Sequence, residues 1–145
     1  MIVGLKEKVG MKSKERKITL SETEMKDFAV CVKATVGNTV HTPISSAAIP
    51  TVFTIFRGGE FELIDSLGIQ LKQVLHAEQE YRVETVLAPG EELHYTTTIT
   101  NVMEKKGKGT KLAFLVFQTD FIRTKDAVLI AVAKSTMVYR ELSNV

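Results

Sequence analysis

The sequence predicts an α+β fold in which a long, curved antiparallel sheet wraps around one central helix. The second half of the chain, from residue 73 to 140, reads as four strand segments separated by short turn signals. Only two segments of the first half carry helical periodicity. One of them, "PTVFTIF…LIDSLGI", is apolar nearly all round, as a helix enclosed by a sheet must be.

The elements follow in order. "MKSKERKITL" (11–20) is a charged lead that ends in a short strand. In "SETEMKDFAVCVKATVGN", Ser21 is a good N-cap and Glu24 completes a capping box. Met25, Phe28, Ala29 and Val32 then form one apolar stripe, and Gly37 and Asn38 end the helix. The second helix opens at Pro50, where a missing N–H costs nothing, and Gly68 ends it, with Gly58 and Gly59 as a possible interruption. "QVLHAEQEYRV" is strand-like and "LAPGEE" is a turn. "LHYTTTITNVME", "TKLAFLVFQTDFIR" and "VLIAVAKSTMVYR" are long strands joined by "KKGKG" and "TKDA", which makes an antiparallel meander.

Length and composition bound the rest. At 145 residues one domain spanning 1–145 is expected, with 44% hydrophobic and 25% charged residues as in ordinary globular proteins. A domain of this size removes roughly 70% of its unfolded surface from water. The net charge of +2 gives no footprint for a nucleic-acid partner. The single cysteine, Cys31, cannot form an intramolecular disulfide and suits a reducing compartment. The first 17 residues lack the apolar core of a signal peptide, and no run is long enough to span a membrane, so a cytoplasmic protein is expected. The three histidines are scattered and no cysteine pair has ligand spacing, so neither a metal nor a cofactor is expected.

Three motifs then carry a resemblance: "IPTVF" (49–53), "HAEQEY" (76–81) and "VLAPGEEL" (86–93). With residues 74–140 as a whole and the closing "TMVYR", they resemble MaoC-like dehydratase domains of the amino-terminal, FAS1-like type. That type includes substrate-binding subunits of (3R)-hydroxyacyl thioester dehydratases. The resemblance covers about residues 15 to 141 and implies the hot-dog fold, an acyl-CoA or acyl-carrier-protein thioester as ligand, and a dimer, either of this chain or with another hot-dog subunit.

Active members of the family carry Gly-Asp-x-Asn-Pro-x-His after the first helix. The aspartate and histidine handle one water, and a backbone N–H at the start of the central helix polarises the thioester carbonyl. Here "GNTVH" supplies Gly37, Asn38 in the aspartate's place, and His41 three residues later rather than five. An asparagine cannot act as a general base, although it can orient a water or a histidine. His41 is therefore the candidate acid–base group, against the plainer reading of an exposed loop histidine. Asn38 is either a water-holder or a helix cap.

Thr51, Val52 and Phe53, at the start of the central helix, are the expected carbonyl site. His76 is a further substrate-binding candidate. His76 and Glu78, two apart on a strand, are expected on one face of the sheet, or to satisfy one another at a subunit contact. His94 and Asp27 read as surface residues, Cys31 as buried, and "KKGKG" as a solvated hairpin tip unless it touches a coenzyme A phosphate or an acidic carrier protein. Phe53, Phe56, Phe114 and Phe117 are expected to line the interior.

Three functions stand at this point. The first is a hydro-lyase acting across the 2,3-bond of an acyl thioester. The second is a non-catalytic binding subunit paired with a catalytic MaoC-like partner. The third is a thioesterase, which needs a carboxylate on the central helix such as Glu60, Glu62 or Asp65.

Overall fold

The computed structural model describes residues 4–19, 21–24, 59–85, 88–106 and 108–141. Within them a short 3-10 turn, Leu5–Lys8, is followed by strand β1 (Arg16–Thr19), helix α1 (Gly59–Ser66) and strands β2 (Val74–Val83), β3 (Glu92–Lys106), β4 (Lys111–Arg123) and β5 (Leu129–Arg140). The strands form one antiparallel sheet in the order β1-β3-β4-β5-β2.

The expected meander is present in β3-β4-β5, but β2 departs from it. "LAPGEE" does not close a hairpin, because β3 already pairs with β1 along one side and with β4 along the other. The remaining partner for β2 is the far side of β5, where it pairs from Val74↔Tyr139 to Val83↔Ala131. The chain before β1 also lies along β3: Gly10 N–H donates to Ile99 O at 2.8 Å and Ser13 N–H to Thr97 O at 2.8 Å.

Of the first expected helix, residues 22–24 are helical, and Glu24 N–H donates to Ser21 Oγ at 3.1 Å, as the cap requires. Its remaining residues lie outside the described ones. The end of the second helix is as expected. Gly68 has φ +73°, its N–H donates to Asp65 O at 2.9 Å, and Ile69 N–H donates to Ile64 O at 3.2 Å. This bond pair is the Schellman ending, which needs a left-handed residue just past the helix. Gly59 is the first described residue of this helix, and Gly58 with the residues before it lies outside the described ones.

Period-2 alternation gives the sheet an inner and an outer face. Along β4 the buried positions are Ala113, Leu115, Phe117, Thr119 and Phe121. Two apolar clusters result. One gathers Ile18, Leu93, Tyr95, Phe121, Ile130, Ala131 and Ala133. The other packs Leu63, Ile64 and Ile69 of the helical segment, with Leu5, onto Ile99, Leu115, Phe117 and Met137 of the sheet. Phe117 is thus an interior residue as expected. Phe114 is not: it pairs with Val138 on the outer face, where the Lys105 ammonium lies 5.0 Å from its ring centre.

Candidate functional site

A band of polar side chains crosses the inner face between the two apolar clusters. Among the described residues the buried polar ones are Ser13, Glu60, Thr97, Thr119 and Ser135, and all belong to this band. It is tied by hydrogen bonds. Thr97 N–H donates to Ser13 Oγ at 3.0 Å, and the Thr97 and Thr119 hydroxyls share a bond of 2.7 Å. The start of α1 rests on it, with Gly59 N–H donating to Thr97 Oγ1 at 3.2 Å. A side chain at residue 59 would not fit, since a Cβ there would lie 2.4 Å from Ser13 Oγ and 2.8 Å from Thr97 Cβ.

Glu60 follows directly, 2% exposed, and accepts a hydrogen bond from Ser135 Oγ at 3.1 Å. Ser135 pairs across the strands with Gln79, whose Oε1 accepts the Nε2–H of His76 at 2.9 Å. Two buried side-chain atoms in this group, Glu60 Oε2 and Gln79 Nε2, have no hydrogen-bond partner among the described residues. Burial pushes the Glu60 carboxyl above its ordinary pKa, against the opposing pull of its own backbone N–H, the Ser135 hydroxyl and the His76 charge.

That shift has a consequence for stability. A carboxyl with a raised folded-state pKa binds more protons folded than unfolded between the two values. The folded state is therefore favoured below the ordinary value of 4.5 and loses ground as the pH rises through the interval. Glu60→Gln removes the titration while keeping the shape. The variant is expected to be more stable than the native chain by about 1–3 kcal/mol near neutral pH, the cost of a poorly satisfied buried charge. The gain is expected to shrink toward zero at pH 4.5, and urea unfolding at the two pH values measures it.

The other helix carboxylates point elsewhere. Glu62 takes the Arg16 guanidinium at 2.6 Å and the Lys14 N–H at 3.0 Å, and the Arg16 bond holds its carboxyl below the usual range. Asp65 lines a surface groove with Phe61, Ile64, Ile69 and Leu71. His94 is half-buried on the outer face, its Nδ1 3.3 Å from Thr124 Oγ1.

His76 and Glu78 do not share a face. A bulge between them shifts the register, so His76 pairs with Met137 on the inner side and Glu78 with Thr136 on the outer side. The extra residue, Ala77, cancels the two-residue spacing. His76 is thereby aimed toward the polar band. Asn38, His41, Thr51, Val52 and Phe53 lie outside the described residues.

Sequence reasoning named Glu60 and His76 but missed Ser13, Gln79, Thr97, Thr119 and Ser135. Their signal is a polar residue at an inward position of an apolar alternation, as Thr119 is in "LVFQTDF". It shows only once the strand register is known.

Among the described residues no cluster of histidine, cysteine and carboxylate side chains could hold a metal ion, and no helix is long and apolar enough to cross a membrane.

Comparison with solved structures finds the same fold in several proteins. The C-terminally truncated HadBC (3R-hydroxyacyl-ACP dehydratase) complex from Mycobacterium tuberculosis matches with a TM-score of 0.64 at 17% identity, covering 90% of this chain and 96% of that one. The ChsH1–ChsH2 complex from the same organism matches with a TM-score of 0.65 at 13% identity, covering 99% and 91%. The (R)-hydratase from A. caviae involved in PHA biosynthesis matches with a TM-score of 0.53 at 17% identity, covering 89% and 94%. No curated protein matches. The model of the FAS1-like, dehydratase domain region matches residues 7–132. With the hot-dog sheet and the "HAEQEY" strand both in place, the chain belongs to the FAS1-like dehydratase region family.

Proposed function

We propose that the chain, taken as one domain, binds an acyl thioester, as acyl-CoA or on an acyl-carrier protein. The chemistry is hydration or dehydration of the (R)-specific 3-hydroxyacyl type, within fatty-acid metabolism in the cytoplasm. The observation that carries this reading is the buried polar band beneath the start of α1 in a member of a dehydratase family. A hydration site needs polar groups for one water and its protons next to an apolar wall for the acyl chain. The band lies between two apolar clusters that can provide such a wall.

In this reading His41 moves the proton, Asn38 holds the water, and the segment at Thr51, Val52 and Phe53 receives the thioester carbonyl. His76 completes the polar side. The test is the loss of enoyl absorbance when crotonyl-CoA is added to the purified chain. Activity is expected, and His41→Ala is expected to lower it at least about a hundredfold, the usual contribution of one general acid–base group. Silence in the native chain, with acyl-CoA still bound, would instead assign it as the non-catalytic subunit of a hot-dog pair.

A second chain is part of the proposal. β2 is an edge strand, exposed along most of its length, with Leu75 73% exposed, and such edges are natural sites for pairing. The names of the HadBC and ChsH1–ChsH2 structures describe complexes, which supports another hot-dog subunit, identical or not, as the partner. A thioesterase reading has one supporting observation, the inward carboxyl of Glu60 on the helix. Release of free thiol from butyryl-CoA would favour it.

A further inference from the structure

The outer face of the sheet carries an apolar patch that the inner face does not use. Strand pairing sets Met103, Phe114, Val138 and Leu75 side by side in one row across β3, β4, β5 and β2. Leu112 and Val116 flank Phe114 along β4 on the same face. Leu75 is 73% exposed and Met103 43%, and the other four are half-buried. Contiguous apolar surface of this kind marks a binding site more often than scattered exposed side chains do.

Positive charge gathers at one end of the patch. The row beyond it is Lys105, Leu112 and Arg140, and the Lys105 ammonium lies 5.0 Å from the Phe114 ring centre. The β3–β4 hairpin adds Lys106, Lys108 and Lys111. Lys106 stands directly opposite Lys111, a like-charge pairing that costs stability. The carboxylates within 103–111 and 138–141 are Glu104 and Glu141. Glu104 pairs with Ala113 and so belongs to the inner side. On the outer face the first carboxylate is Glu78, on the far side of the apolar row beside Thr136.

The two features together describe a partner with an apolar ridge bordered by carboxylates. From Leu112 to Val116 the patch runs about 13 Å along β4, and its row spans about 14 Å across four strands. That is the footprint of about two to three turns of a helix. A lipid surface fits less well, because the hairpin tip offers lysine, glycine and threonine but no apolar side chain to insert. A second copy seated two-fold on the apolar row would set its own row of Asn101, Val116, Thr136 and Glu78 against the cations. That gives one carboxylate for Lys105 and Arg140 together.

We propose that this outer face docks a partner protein through an acidic amphipathic helix. Its apolar side lies on Phe114 and Val138, and its carboxylates meet Lys105 and Arg140. The surface is separate from the thioester site, and backbone pairing along β2 leaves it open.

Fluorescence anisotropy tests it, using a labelled helical peptide about 18 residues long with leucines on one face and glutamates on the other. Saturable binding is expected, weaker by about tenfold when salt is raised from about 0.05 to about 0.3 M. Charge reversal by Lys105→Glu with Arg140→Glu is expected to weaken it about tenfold, and Met103→Ser about fivefold. All three side chains are exposed, so the variants are expected to keep the native Tm, and a melt checks this. The same peptide with lysines in place of glutamates is expected not to bind. Equal binding of the two peptides, or no saturable binding of the acidic one, would overturn the proposal. So would co-sedimentation of the native chain, but not of Met103→Ser, with phosphatidylglycerol vesicles, which would assign the face to lipid. A lower oligomeric state of Met103→Ser in analytical ultracentrifugation would also overturn it and assign the face to a second copy.

Discussion

Gly59→Ala is expected to destabilise the chain by about 3 kcal/mol, the upper end of the cost of overpacking a well-filled interior. The reason is a double obstruction. The added methyl would stand 2.4 Å from Ser13 Oγ and 2.6 Å from its Cβ on one side, and 2.8 Å from Thr97 Cβ on the other. Ser13 cannot swing aside cheaply, because its Oγ accepts the Thr97 N–H and its N–H is bound to Thr97 O. Lifting the start of α1 instead would break the bond from Gly59 N–H to Thr97 Oγ1 and pull Glu60 from Ser135. In a chain of this size the cost corresponds to a fall in Tm of about 10 °C. Ser13→Gly in the same chain removes one obstruction and is expected to restore part of the loss; a thermal melt of the single and double variants measures both.

Phe117→Ala is expected to cost about 3–5 kcal/mol, as large-to-small changes of a buried aromatic do. Phe117 is fully buried, sits between Leu115 and Thr119 on the inner face, and packs in the cluster that receives Leu63 and Ile64 of α1. Removing it leaves a void directly under the helix. Phe114→Ala is the matching comparison, because the same ring is lost from the opposite face. There it is only half-buried beneath Lys105, and a loss of about 1 kcal/mol is expected from partial burial and one cation–π contact. Chemical denaturation of the two variants separates the faces. Similar losses would contradict the strand register.

That contrast also shows where sequence and structure part. The long apolar run in "KLAFLVFQTDFIR" is enough to give a buried strand, but both Phe114 and Phe117 are apolar and three apart. A period of two puts them on opposite faces, and only the pairing tells which face is inside. Local signals survived intact: the Ser21 cap and the Gly68 left-handed ending are set by hydrogen bonds within a few residues. The place of β2 did not, because its neighbour β5 begins about 45 residues later and the choice depends on which edges β3 had already filled. The bulge at His76 was invisible for a related reason. One inserted residue reverses the facing of all that follows, and nothing in "HAEQEY" marks it. The site was half readable. Glu60 and His76 stand out by residue type, while Ser135, Thr97 and Gln79 acquire meaning only from the side of the sheet they occupy.

The most direct measurement is a calorimetric titration of the purified chain with butyryl-CoA and, separately, with free coenzyme A. Tighter binding of the thioester than of coenzyme A is expected, with a negative heat-capacity change from burial of the acyl chain against apolar side chains. Equal affinity for the two, or no binding of either, would contradict an acyl-thioester site on the inner face of this sheet.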